Sequence, residues 1–69
     1  MNKTKLKIIL AAIKLFNEEG LMNVRNQDIA KGAKMSLSNF NYHYKTKQDL
    51  VVAVCDYMTN ILEERDGRY

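Results

Sequence analysis

Leu6, Ile9, Leu10, Ile13 and Phe16 recur at i, i+3, i+4, i+7 and i+10, the spacing of a helix that buries one face. This predicts a first helix over about 4–19, with Thr4 able to cap it and Ala11 and Ala12 favouring close packing. Met1 to Lys5 reads as a polar, basic arm ahead of it. Glu18, Glu19 and Gly20 close the helix, glycine suiting the left-handed position just past a helix end. Leu21 to Val24 is a short connector whose two apolar ends, Leu21 and Val24, are expected under the core. Ile29, Ala30 and Ala33 then mark a second helix over about 26–33, capped by Asn23, Arg25 or Asn26. Lys34 and Met35 interrupt the pattern, and Ser36 is a good N-cap for a third helix over about 37–43. A fourth, over about 47–64, starts behind Thr46, with Asp49 three residues on in the manner of a capping box.

The middle of the chain holds the chemistry. Phe40 and Tyr44 lie four apart and are expected to face Ile29 and Ala30 together. A small residue at the helix crossing (Ala30), a turn position four later that usually wants glycine (Lys34), and an apolar plug ten later (Phe40) have the spacing of a helix-turn-helix. Lys34 there takes a Cβ penalty that glycine avoids. The rest of the third helix is Leu37, Ser38, Asn39, Asn41, Tyr42 and His43. Hydrogen-bonding side chains on a short exposed helix are what reading base edges in a major groove requires. Leu37, Ser38 and Asn39 form its first turn, which reaches the bases in such docking. Asn39 can pair bidentately with adenine, Ser38 accepts several partners, and Leu37 can meet a thymine methyl, so A·T pairs are expected in the site. Asn41 is a further base-reading candidate.

Phosphate contacts are expected on both flanks. A helix N-terminus with free N–H groups suits an anion, so Arg25, Asn26 and Gln27 either grip the DNA backbone or serve as simple caps. Lys47 stands in the first turn of the fourth helix beside an unpaired main-chain N–H. Lys3, Lys5 and Lys7 reach a phosphate or face water, while Lys45 is expected in water.

Charge distribution sharpens this picture. The net charge is +3, but residues 1–50 carry nine Lys/Arg against four Asp/Glu and residues 51–69 carry two against four. A polyanion is therefore drawn to one end of the molecule. At 69 residues the chain is one domain with a modest core, and 46% hydrophobic residues with no proline suit uninterrupted helices. One cysteine, Cys55, cannot form an internal disulfide, and with one histidine cannot build a zinc site. Cys55 is expected as a small, at least half-buried hydrophobe. No apolar run is long enough for a membrane span, and the lysine-rich start lacks the core of a signal peptide. Nothing resembles a paired carboxylate, an activated nucleophile or a glycine-rich phosphate cradle, so no catalytic residue, metal or cofactor is expected.

Asp28 to Leu50, DIAKGAKMSLSNFNYHYKTKQDL, resembles the N-terminal DNA-binding domain of the TetR family of bacterial repressors. The likeness runs from Lys5 to about Tyr57. Lys34 departs from the family's glycine and Asn41 from its tyrosine that touches DNA. The resemblance implies an all-α, homeodomain-like domain of four helices, three short ones with a helix-turn-helix and a longer fourth. It places Tyr42, His43 and Lys47 on phosphates, and Asn26 and Gln27 match the family's phosphate-binding positions though not its residue types. It further implies a cytoplasmic regulator, most simply a ligand-responsive repressor. Such a protein is a homodimer on a palindromic operator, joined through a C-terminal domain that also takes a small-molecule effector.

Leu50, Val54 and Tyr57 suffice to close the core, leaving Val51, Met58, Ile61 and Leu62 as an apolar surplus. Such a stripe normally has a partner. The resemblance identifies it as the C-terminal domain, so the chain reads as part of a longer regulator with Glu63 to Tyr69 a fraying end. The alternative is a helical protein-interaction module that works through this stripe.

Overall fold

The computed structural model describes residues 2–66, and side chains as far as Ile61. Its elements are α1 (Lys3–Glu19), a single 3-10 turn (Leu21–Asn23), α2 (Asn26–Gly32), α3 (Leu37–His43) and α4 (Lys47–Asp66). The described residues are all-helical, as expected. α1 packs against both α2 and α4, and α2 against α3.

α1 begins earlier than its hydrophobic pattern suggests. Asn2, not Thr4, is the cap: its side-chain oxygen accepts the Thr4 main-chain N–H at 2.7 Å. Lys3 to Lys5 are consequently helical rather than a loose arm. The other end closes at Gly20, whose φ of 89° is open to glycine at little cost and whose N–H donates to the Phe16 carbonyl. Asn23 Nδ2 reaches back to the Glu19 carbonyl at 2.8 Å and occupies a second orphan acceptor of the helix end.

The buried face of α1 is rotated from the expected stripe. Ile8, Ile9 and Ala12 are buried, Ile13 and Phe16 only partly, and Leu10 is 49% exposed. Contact with α2 on one side and α4 on the other centres the core on the arc spanned by Ile8, Ala12 and Ile9. Leu10 lies a further 100° or so round from Ile9. In the connector only Val24, in extended backbone after the 3-10 turn, reaches the core; Leu21 stays 42% exposed.

α2 is entered from Arg25, which settles the capping position. Its side chain has no acceptor, so half of a capping box forms: Asp28 Oδ2 accepts the Arg25 main-chain N–H at 3.0 Å. The helix ends at Gly32, one residue short of expectation, with Ala33 as C-cap. Met35 N–H then donates to the Ala30 carbonyl and Lys34 N–H to the Lys31 carbonyl, both at 3.0 Å. That pair of bonds is the Schellman arrangement, and it requires the residue between to be left-handed. Lys34 complies with φ 60°, the one non-glycine at positive φ among the described residues. Half-buried Met35 packs against the core and completes the motif.

α3 and α4 follow their predicted caps. Ser36 Oγ accepts the Asn39 N–H at 3.1 Å, and Thr46 Oγ1 accepts the Asp49 N–H at 3.1 Å. Phe40 is wholly buried and Tyr44 nearly so, their ring centroids 6.2 Å apart and tilted by 51°. They join Ile29, Ala30, Leu50 and Val54 in one core. Burying a side chain of this size contributes roughly 1.5–3 kcal/mol, so Phe40 is a principal support of the α2–α3 crossing.

On α4, Leu50 and Val54 are buried and Tyr57 half-buried, whereas Met58 is 50% and Ile61 37% exposed. Ile13, Tyr57, Met58 and Ile61 line an apolar groove between α1 and α4. Cys55 is exposed, against expectation, because it sits about 100° round the helix from buried Val54. The Leu62 side chain and residues 67–69, part of the expected fraying end, lie outside what is described; the helix itself runs on to Asp66.

Candidate nucleic-acid interface

With Phe40 and Tyr44 fixed inward, helix geometry decides what α3 turns outward. At about 100° per residue, Ser38 and Tyr42 lie opposite the buried pair, with Asn39 beside them and Leu37 and Asn41 on the other shoulder. Ser38, Asn39 and Asn41 are exposed, Leu37 is 42% exposed and Tyr42 83%. Tyr42 is thus no core aromatic. Its ring meets His43 edge-on, centroids 5.3 Å apart at 83°, and His43 is half-buried. The five outward residues carry hydroxyl and amide groups and one apolar side chain, and α3 contains no carboxylate. Such a surface can offer hydrogen bonds to bases without repelling phosphates.

The flanks are less uniform. Arg25 and Gln27 at the start of α2 are exposed. Asn26 is not a free donor in the same way: it is half-buried, and its Oδ1 is buried without a hydrogen-bond partner. Lys5 leans over the Tyr44 ring, its ammonium 5.9 Å from the centroid, so this lysine of α1 backs the end of α3. Burial pushes the Tyr44 phenol above its ordinary pKa of 10.0. Lys45 is exposed as expected.

Lys47 departs most from the simple picture. The Lys47 ammonium donates to the main-chain carbonyl of Leu21 in the connector after α1. It is the one half-buried lysine of the eight; the other seven are exposed. That partner was invisible in the sequence because a backbone carbonyl carries no residue-type signal, and 26 positions separate the two residues.

The structure therefore gathers Leu37, Ser38, Asn39, Asn41 and Tyr42 on one exposed face, with Arg25 and Gln27 open on α2. Among the described residues there is no group of three or more His, Cys, Asp or Glu placed to hold a metal ion. No helix of the described residues is long and apolar enough to cross a membrane.

Comparison with known proteins covers most of the chain, these residues included. The profile described as bacterial regulatory proteins, tetR family, matches residues 8–54. The chain is 33% identical to the uncharacterized HTH-type transcriptional regulator YerO of Bacillus subtilis (strain 168), across 99% of this chain and 26% of that protein. It is 38% identical to the probable HTH-type transcriptional regulator YttP of the same organism, across 70% of this chain and 23% of that protein. The chain thus spans about a quarter of the length of these relatives. No solved structure matches it.

Proposed function

The chain belongs to the TetR family of bacterial regulatory proteins, and from that premise we propose that it reads double-stranded DNA with α3 in the major groove. The observation that carries this reading is the division of α3 itself: Phe40 and Tyr44 buried, and Ser38, Asn39 and Tyr42 standing into solvent. A helix locked by its inner face presents its outer face in one orientation, and base readout needs that rigidity. Leu37, Ser38, Asn39 and Asn41 are assigned to the bases; Arg25, Asn26, Gln27, Tyr42, His43 and Lys47 to phosphates. Phosphate contacts set register and most of the affinity, and base contacts set sequence preference.

In the whole regulator we assign the chain to a cytoplasmic homodimer on a palindromic operator, held together by a C-terminal domain. An effector bound there changes the spacing of the two reading helices and releases DNA, which makes the protein a ligand-responsive repressor. The names of YerO and YttP, both HTH-type transcriptional regulators, support the regulatory role. The exposed groove of Ile13, Tyr57, Met58 and Ile61 favours a second reading, a protein-interaction module working through α4. The two are separated by Leu37→Ala and Asn39→Ala. The DNA reading expects these changes to relax sequence preference by about 1–3 kcal/mol per good base contact, whereas the interaction module is indifferent to them.

Selection of bound duplexes from a random DNA library is the direct test. A palindromic motif enriched by the intact dimer supports the reading; no enrichment from an intact dimer refutes it. Affinity should also fall steeply from low to moderate salt, because each neutralised phosphate releases counterions.

A further inference from the structure

Lys47 is held before any DNA arrives. Its ammonium donates to the Leu21 carbonyl, which ties the first turn of α4 to the connector between α1 and α2. That connector is itself constrained from both sides. Gly20 enters it at φ 89°, and Asn23 Nδ2 anchors its far end on the Glu19 carbonyl at 2.8 Å. The acceptor is a neutral carbonyl, so the bond sets no counter-charge beside the ammonium. A lysine ammonium has three N–H donors, and one bond to Leu21 leaves two for a second acceptor.

Resting on the DNA reading above, we propose that the Leu21 carbonyl is a positioning group for phosphate binding: it holds the Lys47 ammonium in place so that its two remaining N–H groups meet a DNA phosphate. A free lysine loses side-chain rotamer entropy when it is immobilised. Here part of that loss is met during folding, and the 3-10 turn becomes a component of the interface although no side chain of it touches DNA. The half-burial of Lys47, alone among the lysines, fits a stem laid along the protein rather than one free in water.

A 69-residue chain can be assembled chemically, with a ligation junction at Cys55. Replacing the Leu21–Met22 amide by an ester weakens the Leu21 carbonyl as an acceptor and leaves every side chain in place. Binding to a DNA duplex is then measured for four chains: amide and ester, each with Lys47 and with Lys47→Met. Circular dichroism confirms that each is folded. The ester should weaken binding about threefold or more when Lys47 is present and leave it unchanged in the Lys47→Met pair. An equal loss in both pairs shows a merely structural role and overturns the proposal, as does no loss in either. Lys47→Met should also reduce the salt slope by about one.

A second measurement needs no DNA. In the isotopically labelled free chain, the Lys47 ammonium nitrogen should couple through the hydrogen bond to the Leu21 carbonyl carbon, and the ester should abolish that coupling. An uncoupled ammonium overturns the positioning role while leaving the DNA reading intact. Failure of an intact dimer to bind any duplex overturns the DNA reading and the positioning role with it.

Discussion

Lys34 is the position where this chain departs from what its own backbone asks for, and Lys34→Gly measures the consequence. The turn between α2 and α3 is held by two main-chain bonds, Met35 to Ala30 and Lys34 to Lys31, both 3.0 Å. They leave Lys34 no alternative to φ 60°. A Cβ in that conformation costs roughly 1–2 kcal/mol, from which the greater freedom of glycine in the unfolded chain subtracts roughly 0.4–1 kcal/mol. Loss of a cation near the C-terminus of α2 subtracts a further few tenths. Lys34→Ala is the control, since it loses the same charge and keeps the Cβ. Glycine should therefore exceed alanine by about 1 kcal/mol, with asparagine between them. In urea denaturation that difference appears as a higher midpoint at constant slope, and in thermal melts as about 4–8 °C for a domain of this size. A glycine variant no more stable than the alanine variant would refute the account of this turn.

Other expectations follow from single side chains. Phe40→Ala should cost about 3–5 kcal/mol, comparable to the whole stability of a small domain, so the helical circular dichroism signal at 25 °C should largely collapse. Asn26→Ala removes a buried oxygen that has no partner; stability should hold or rise by up to about 1 kcal/mol while DNA affinity falls, as read by paired melts and duplex titrations. Tyr44 predicts an alkaline limit. Its folded pKa is raised by burial, so the phenol stays neutral in the fold while the unfolded chain ionises first. Its contribution is complete below the ordinary value of 10.0 and is lost as pH rises from there through the folded pKa. Denaturant midpoints measured between neutral pH and pH 11 should fall only at the alkaline end, and Tyr44→Phe should lessen the fall.

Much of this architecture was legible along the chain because local chemistry dictates it. Ser36 and Thr46 cap where they were expected to, since a hydroxyl accepts an N–H three residues ahead whatever the rest of the fold does. Gly20 and Lys34 sit at positive φ as the turn geometry demanded. Phe40 and Tyr44 share one face because a helix places them there. Elsewhere local rules competed on equal terms. Thr4 was the expected cap of α1, yet Asn2, two residues earlier, serves. Cys55 and Leu10 carry apolar side chains that would be buried on a different helix face, yet both are exposed.

The order of the helices, the caps of α3 and α4 and the outward face of α3 were written in periodicity and residue type, because each depends on neighbours within about one turn. Which arc of α1 is buried, where the Lys47 ammonium rests and how far Asn26 is turned in were decided only when distant segments met. Those outcomes depend on the angles at which α1 meets α2 and α4, and on a main-chain carbonyl 26 positions from its donor. Residue spacing records neither, since packing angles and backbone acceptors emerge from the assembled core.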